Sequence, residues 1–386
     1  MTGATDRPVP ELIAEMVEAL RRSHCLRSPN VADAFGAVPR HLFVPGRPLR
    51  EVYSAETVVP THFDAHGCSV SSSSAPNIMA IMLEQLRVRP GMRVLEIGAG
   101  TGYNAGLLSH LVGAHGQVVT VDLDEQITTE ARQHLHAANI DDVRVVHGDG
   151  WLGSGTVETF DRMILTVGAW EVSPHWFEQL DVGGVLVMPL WVRPGLQVSV
   201  AFVREERCLR SESLTLCGFM RLRGPNAGPD SQVAVAGWAD RVDDVAAERH
   251  WIAAIEHATP FRVTQLRSLI NGTVETRPAP RPAPGWITRL ALEEPDIIVL
   301  SGRDTAGHVA AGLFAPDRHS LALFDAGKIV SFGNPTCAER LGRRLDELAP
   351  LRLNDVEIRA VTHPARAEPG AWILERPSFD LVVRVS

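Results

Sequence analysis

The residues of this chain best suited to chemistry stand at the ends of short apolar runs. Val94 to Asn104 reads VLEIGAGTGYN, an apolar run that enters Gly98, Gly100 and Gly102 just before a helical pattern begins. Glycines at such a turn let the backbone fold sharply and let a ligand approach where a Cβ would collide. The spacing is G-x-G-x-G, with Tyr103 where a dinucleotide-binding loop carries its third glycine. Glu96 precedes the first glycine by two residues. A carboxylate so close repels a pyrophosphate and suits a cation. Asp122 ends the next apolar run, VVTVD, where a carboxylate can accept from both hydroxyls of a ribose. Asp149, in HGDG, ends the run after that and can accept from an adenine amino group.

An ammonium, a ribose and an adenine are the groups that S-adenosyl-L-methionine presents beside its sulfonium. The residues expected around it are Glu96, Gly98, Gly100, Thr101, Gly102, Asp122, Leu123, Asp149 and Gly150, with Ser73 from a serine run upstream. A nucleotide-dependent oxidoreductase fits the loop less well, because the third glycine is missing.

These residues need a sheet to bring them together. Strands are expected at Val94–Ile97, Val118–Val121, Val143–Val146, Phe160–Val167 and Gly184–Pro189, alternating with helices from Gly102 and over Glu125–Ala138. Strands separated by helices imply right-handed crossovers and a mostly parallel sheet. Val198–Arg204, Leu209–Leu216 and Phe219–Leu222 then read as a terminal antiparallel set. Upstream, helices are expected from Leu12 to Arg22, from Asn30 to Val38 and after Pro76, while Pro45 to Pro76 reads as a long irregular segment. The composition shift at residues 225–232 marks a linker, so a Rossmann-like domain over 1–224 is expected to precede a C-terminal α+β domain over 233–386.

The chain has 386 residues, 45% of them hydrophobic and 22% charged, enough for two folded domains. A net charge of −9 disfavours a nucleic-acid partner. No apolar run approaches the roughly 20 residues that span a bilayer, so no membrane partner is implied. The polar start has no signal-peptide pattern, and a cytoplasmic location is expected. His62, Asp64, His66 and Cys68 offer metal-ligand types, but their alternate spacing in a loop matches no known site, and no metal is expected. His134 and His136 read as surface residues. Trp151, Trp170 and Trp176 read as core or pocket wall.

Several separated motifs, PRHLFVP (Pro39 to Pro45), SAP (Ser74 to Pro76), VLEIGAGTGYNAGLL, VVHGDG, FDRMILTVGAW and GGVLVMPL, occur here in the order found in protein L-isoaspartate O-methyltransferases. The chain resembles that family over approximately residues 10 to 224. The TVGAW and LCGF segments and the long C-terminal extension resemble a sub-branch that accompanies ribosomally made, modified peptides, notably lanthipeptides. The resemblance implies a class I S-adenosylmethionine-dependent methyltransferase fold, with Ser74 on the catalytic serine and Ser72 on a partner threonine. Thr166, at a strand end, is expected to line the same pocket.

The chain departs from the repair pattern at Val70 and Ser71, which replace a glycine and a glutamine, and at Trp170, which replaces a proline. These are substrate-side changes. The reaction implied is methylation of an aspartyl or isoaspartyl side chain of a peptide or protein, such as a modified ribosomal peptide, and the sequence does not decide between the two acceptors. The ester can close to a succinimide and open to isoaspartate. Repair, methylation of a small molecule, or a binding module without turnover remain as alternatives, and the C-terminal domain is expected to recognise the peptide.

Overall fold

In the computed structural model, which describes residues 7–63, 69–156, 158–229, 231–235, 251–302, 309–366 and 368–385, the apolar run before the glycines lies inside a ten-stranded sheet. The chain reaches it through helices α1 (Val9–Arg22) and α2 (Pro29–Ala37), a 3-10 turn at Arg40–Phe43 and one-turn helix α3 (Leu49–Val52). A hairpin of β1 (Val59–Phe63) and β2 (Ser69–Ser73) follows, then helix α4 (Pro76–Leu86). The stretch expected to be irregular thus contains a helix turn and a strand pair. Serines carry no apolar alternation to announce a strand. What holds this one is pairing, Val59 opposite Ser73 and Pro60 opposite Ser72, with Val59 buried beneath.

The sheet proper is built from β3 (Arg93–Ile97), β4 (Gln117–Asp122), β5 (Val143–His147), β6 (Phe160–Leu165), β7 (Leu180–Arg193), β8 (Leu196–Arg204) and β9 (Cys208–Leu216). Helices α5 (Tyr103–Val112), α6 (Glu125–Ala137) and α7 (Pro174–Gln179) connect them. The order is β5-β4-β3-β6-β7-β8-β9. β3 pairs in parallel with β4 on one side and β6 on the other, so the chain reverses its direction of build at β3. Ligands of such sheets bind at the carboxyl ends beside this switch point. Val94, Leu95 and Ile97 are buried, as a strand covered on both faces requires.

A second antiparallel sheet comprises β10 (Gln232–Val235), β11 (Trp251–Ile255), β12 (Val274–Pro278), β13 (Ile297–Gly302), β14 (Val309–Ala315), β15 (Ser320–Asp325) and β16 (Lys328–Gly333). Its order is β10-β11-β13-β14-β15-β16-β12, with helices at Pro260–Ile270, Trp286–Glu293 and Thr336–Glu347. Ile298, Leu300, Phe314, Leu321 and Phe332 lie in its core.

Two expectations change here. Phe219–Leu222 is not a strand: Gly168 N donates to Met220 O (2.7 Å) and Leu222 N to Gly168 O (2.8 Å), which hangs the segment from the loop after β6. The place beside β9 is taken by β17 (Val356–Thr362), with Ala360 opposite Leu209, and the sheet ends in β19 (Phe379–Val385) and β18 (Ala371–Leu374). The chain up to Leu190, Val198–Ala227 and Glu357–Arg384 form one compact unit, and Trp191–Gln197 with Gly228–Val356 form the other. The region 233–386 is therefore not one domain. An edge strand presents a row of unpaired backbone groups, and the returning segment pairs them.

The C-terminal hairpin also grips the loop after β6. Arg376 Nε donates to Trp170 O at 3.0 Å, and its guanidinium lies 4.2 Å from the Trp170 ring centroid. Ser378 N donates to Glu171 Oε2 at 3.0 Å, and the Phe379 and Phe177 rings meet at 5.4 Å. Losing one charged hydrogen bond and one cation–π contact at a buried site should cost about 2–3 kcal/mol. Arg376→Ala should therefore lower the urea midpoint of the first unit; an unshifted midpoint would show that this grip bears no stability.

Candidate active site

One cavity of about 280 Å³ opens at the carboxyl ends of β3, β4 and β6. Ser72, Ser73, Ser74, Glu96, Gly98, Gly100, Thr101, Asp122, Leu123, Gly150 and Thr166 all line it, so the acceptor and cofactor sets drawn from sequence meet in one place. Gly102 and Asp149 stand just outside. Gly102, at φ 86°, caps α5, and a Cβ on it would lie 3.2 Å from Ala131 O in α6. Asp149 Oδ1 accepts from Trp151 N at 2.9 Å, capping the turn Gly150–Leu152. Asp149 Oδ1 lies 3.8 Å from where a Cβ of Gly224 would stand.

Glu96 is wholly buried. Its Oε1 accepts from Asn104 Nδ2 (2.7 Å) and its Oε2 from Thr120 Oγ1 (2.6 Å). Burial pushes its pKa up to about 7; the two hydrogen bonds oppose the shift and Asp122 adds to it. Its immediate partners are neutral donors rather than a cation, so the carboxyl fits a ligand that brings positive charge of its own. Asp122 is set at the end of β4 by Gly100 N, which donates to Oδ2 (3.1 Å), and Asp124 N, which donates to Oδ1 (3.2 Å). Arg223 reaches across from the far wall, 3.8 Å from both Asp122 and Asp124. Ser73 Oγ and Tyr103 Oη are buried hydroxyls without a partner among the described residues, and both residues line the cavity. A polar ligand is what such orphaned groups fit.

Thr166 departs from its expected role at the acceptor. Its hydroxyl donates to Gly98 O at 2.5 Å, and its N–H to Ile97 O at 2.9 Å. Gly98 sits at φ 97°, and a Cβ there would lie 2.6 Å from Thr166 Oγ1. Thr166 lines the cavity but spends its proton on bracing the glycine turn. His134, expected at the surface, braces the same turn through Nδ1 and Thr101 O (3.0 Å), half-buried against Phe43. Thr120 could have been noticed as the lone polar residue inside VVTV; what places it on Glu96 is the parallel register of the two strands. Trp176 is core, its Nε1 donating to Gly150 O at 2.8 Å. His62 pairs with Glu130 (3.1 Å), and Asp64, His66 and Cys68 lie outside the described residues. Among the described residues no cluster of three metal-ligating side chains occurs. No described helix is long and apolar enough to cross a membrane.

A cavity at the switch point of a parallel sheet, lined by a glycine turn, a buried carboxyl and a strand-end carboxylate, fits the Rossmann-like class of S-adenosylmethionine-dependent methyltransferases. Residues 12–224 match the protein-L-isoaspartate(D-aspartate) O-methyltransferase family, and the chain belongs to it. A protein-L-isoaspartate O-methyltransferase of Thermotoga maritima is 40% identical over 164 residues, 42% of this chain and 51% of that protein. This alignment therefore spans about half of that relative. The enzyme of the same name from Methanopyrus kandleri is 36% identical over 210 residues, covering 54% of this chain and 90% of its own. A solved structure titled protein-L-isoaspartate O-methyltransferase superposes over 96% of this chain and 98% of its own, with a TM-score of 0.54 and 22% identity. It shares the fold, and its coverage extends past the family-matched region.

Two outcomes test the cofactor wall. Asp122→Ala should weaken S-adenosylmethionine binding by about 1–3 kcal/mol, read by calorimetry; an unchanged dissociation constant removes the ribose assignment. The second concerns pH. A carboxyl whose pKa is higher folded than unfolded stabilises the fold fully below the unfolded value, near 4.5, and loses that contribution as pH rises through about 7. Glu96→Gln, uncharged throughout, should therefore gain on the wild type between pH 5 and 8, by on the order of 3 kcal/mol. A stability difference that stays flat over that range would contradict the buried, unpaired carboxyl.

Proposed function

We propose that this chain transfers a methyl group from S-adenosylmethionine to the side-chain carboxylate of an aspartyl or isoaspartyl residue in a peptide or protein. The observation that carries this reading is contact between the two halves of the cavity: Ser72 O lies 3.5 Å from where a Cβ on Gly100 would stand. The serine strand and the glycine turn are neighbours, so an acceptor held by one lies beside a donor held by the other.

The chemistry asks little of the protein in proton transfer. S-adenosylmethionine supplies a methyl on a sulfonium sulfur; a carboxylate oxygen forms the new C–O bond as the C–S bond breaks, leaving a neutral thioether and the ester. A carboxylate is already ionised near pH 7. Ser74, half-buried on the cavity wall, is assigned to hold it by a hydrogen bond without removing its charge, with Ser72 beside it. Asp122 and the glycine turn hold the donor's sugar, Glu96 its ammonium, and the residues around them exclude water and align the reacting atoms.

The finer reading is that the substrate is a ribosomally made peptide destined for modification, with aspartate as the acceptor. Its support is where the chain departs from the repair pattern: Val70 and Ser71 line the cavity, and Trp170 lies in the loop that carries Thr166. We assign the second unit to recognition of the peptide.

The test is a peptide series carrying isoaspartate, aspartate or asparagine at one position, incubated with S-adenosylmethionine and followed by mass spectrometry. Methyl ester on an acidic peptide, followed by loss of methanol, is expected. Preference for isoaspartate would favour repair over peptide modification. Ser74→Ala should lower turnover about 10- to 100-fold while leaving cofactor affinity unchanged. Equal loss of both would place Ser74 against the cofactor.

A further inference from the structure

The serine strand is held from behind by a residue that this chemistry does not use. Arg40 is wholly buried. Its Nη1 donates to Ser74 O at 2.8 Å and its Nη2 to Ser73 O at 3.4 Å. The guanidinium carbon lies 5.2 Å from the Tyr103 ring centroid, and Nη1 touches Met79 Sδ at 3.8 Å. Ser73, Ser74, Met79 and Tyr103 all line the cavity, so Arg40 stands one side chain behind its wall. Its Nε has no partner, and no carboxylate among the described residues forms an ion pair with it. Burial lowers its pKa from the ordinary arginine value, with Tyr103 and Tyr53 acting the other way. A guanidinium stays charged regardless at any working pH.

A buried cation without a counter-ion is costly, and a methionine of similar reach would avoid the cost. We infer that Arg40 is a positioning residue that tunes this pocket for an anionic acceptor, its charge favouring a carboxylate over an uncharged amide of the same shape. The inference rests on the carboxyl acceptor proposed above. Two features let the charge act through the wall. The low dielectric between guanidinium and cavity screens it little. The Ser73 and Ser74 carbonyls point at Arg40, so the N–H ends of the same planar peptide groups, on Ser74 and Ala75, point the opposite way. The guanidinium thus fixes two peptide dipoles with their positive ends turned from it.

The experiment compares the KM of an acidic substrate peptide with the inhibition constant of the same peptide carrying asparagine or isoasparagine at the acceptor. In the wild type, acid should be preferred to amide, and the preference should survive high salt because a buried charge is not screened. Arg40→Met should keep cofactor affinity within about twofold yet lose at least about tenfold of the acid preference. Arg40→Lys should recover part of it, since the charge returns without the two-point hydrogen bonding. A role in packing alone would change folding or cofactor binding without moving the acid-to-amide ratio. Arg40→Met with its preference intact overturns the inference. Should that variant fail to fold, the wild type decides: a preference abolished by salt assigns the selectivity to exposed charges and overturns it, and one that persists supports it. A wild type that methylates no carboxyl peptide overturns the acceptor reading itself, a result distinct from either.

Discussion

The first turn of α5 keeps two buried ionisable groups apart, and the cavity is arranged around that separation. Tyr103 lies under the Arg40 guanidinium, while its neighbour Asn104 donates to Glu96. Each is hydrogen-bonded to neutral groups but neither has an ionic partner among the described residues, so each is costly in a closed interior. One wall is ready for positive charge and the other for negative. On the proposed reading, a donor that arrives as a cation meets the Glu96 wall and an acceptor that arrives as an anion the Arg40 wall. The turn can hold this position because Gly98 lets the backbone pass close to Thr166, and because Thr166 and His134 tie the turn's carbonyls from two sides.

Much of this site was legible in the sequence because it is written locally. Glu96, the glycines and Asp122 lie within or at the end of short apolar runs, and a strand that ends in a glycine turn can be read from neighbours alone. The parallel sheet was legible for the same reason. The braces were not. Thr120 meets Glu96 through strand register, and Arg40 meets Ser74 across 34 positions of chain. Their residue types are ordinary, and only the fold tells a buried arginine from a surface one. Thr166 shows the converse: its place in the pocket could be foreseen, but the direction of its hydroxyl could not.

The serine hairpin and the C-terminal strands escaped the reading for different physical reasons. β2 is a run of small polar residues, so no alternation marks it, and its strand character comes from its partner. β17 alternates well enough to be seen as a strand, but a sequence carries no sign of which sheet a late strand joins. Composition placed a linker at residues 225–232; the two compact units divide between Ala227 and Gly228. What it hid is that the chain crosses back, so that most of the second unit, Gly228–Val356, lies between two segments of the first rather than after it.

That return has a consequence for how the protein is made. Synthesis proceeds from the N-terminus, so every residue that lines the cavity leaves the ribosome well before the segment that pairs with β9. Through that interval the outer edge of the catalytic sheet stays open, and the loop that carries Trp170 waits for Arg376. The inserted unit, by contrast, has its whole sheet in hand as soon as β16 emerges. The strands of the middle sheet are therefore all synthesised before the first unit has its full set.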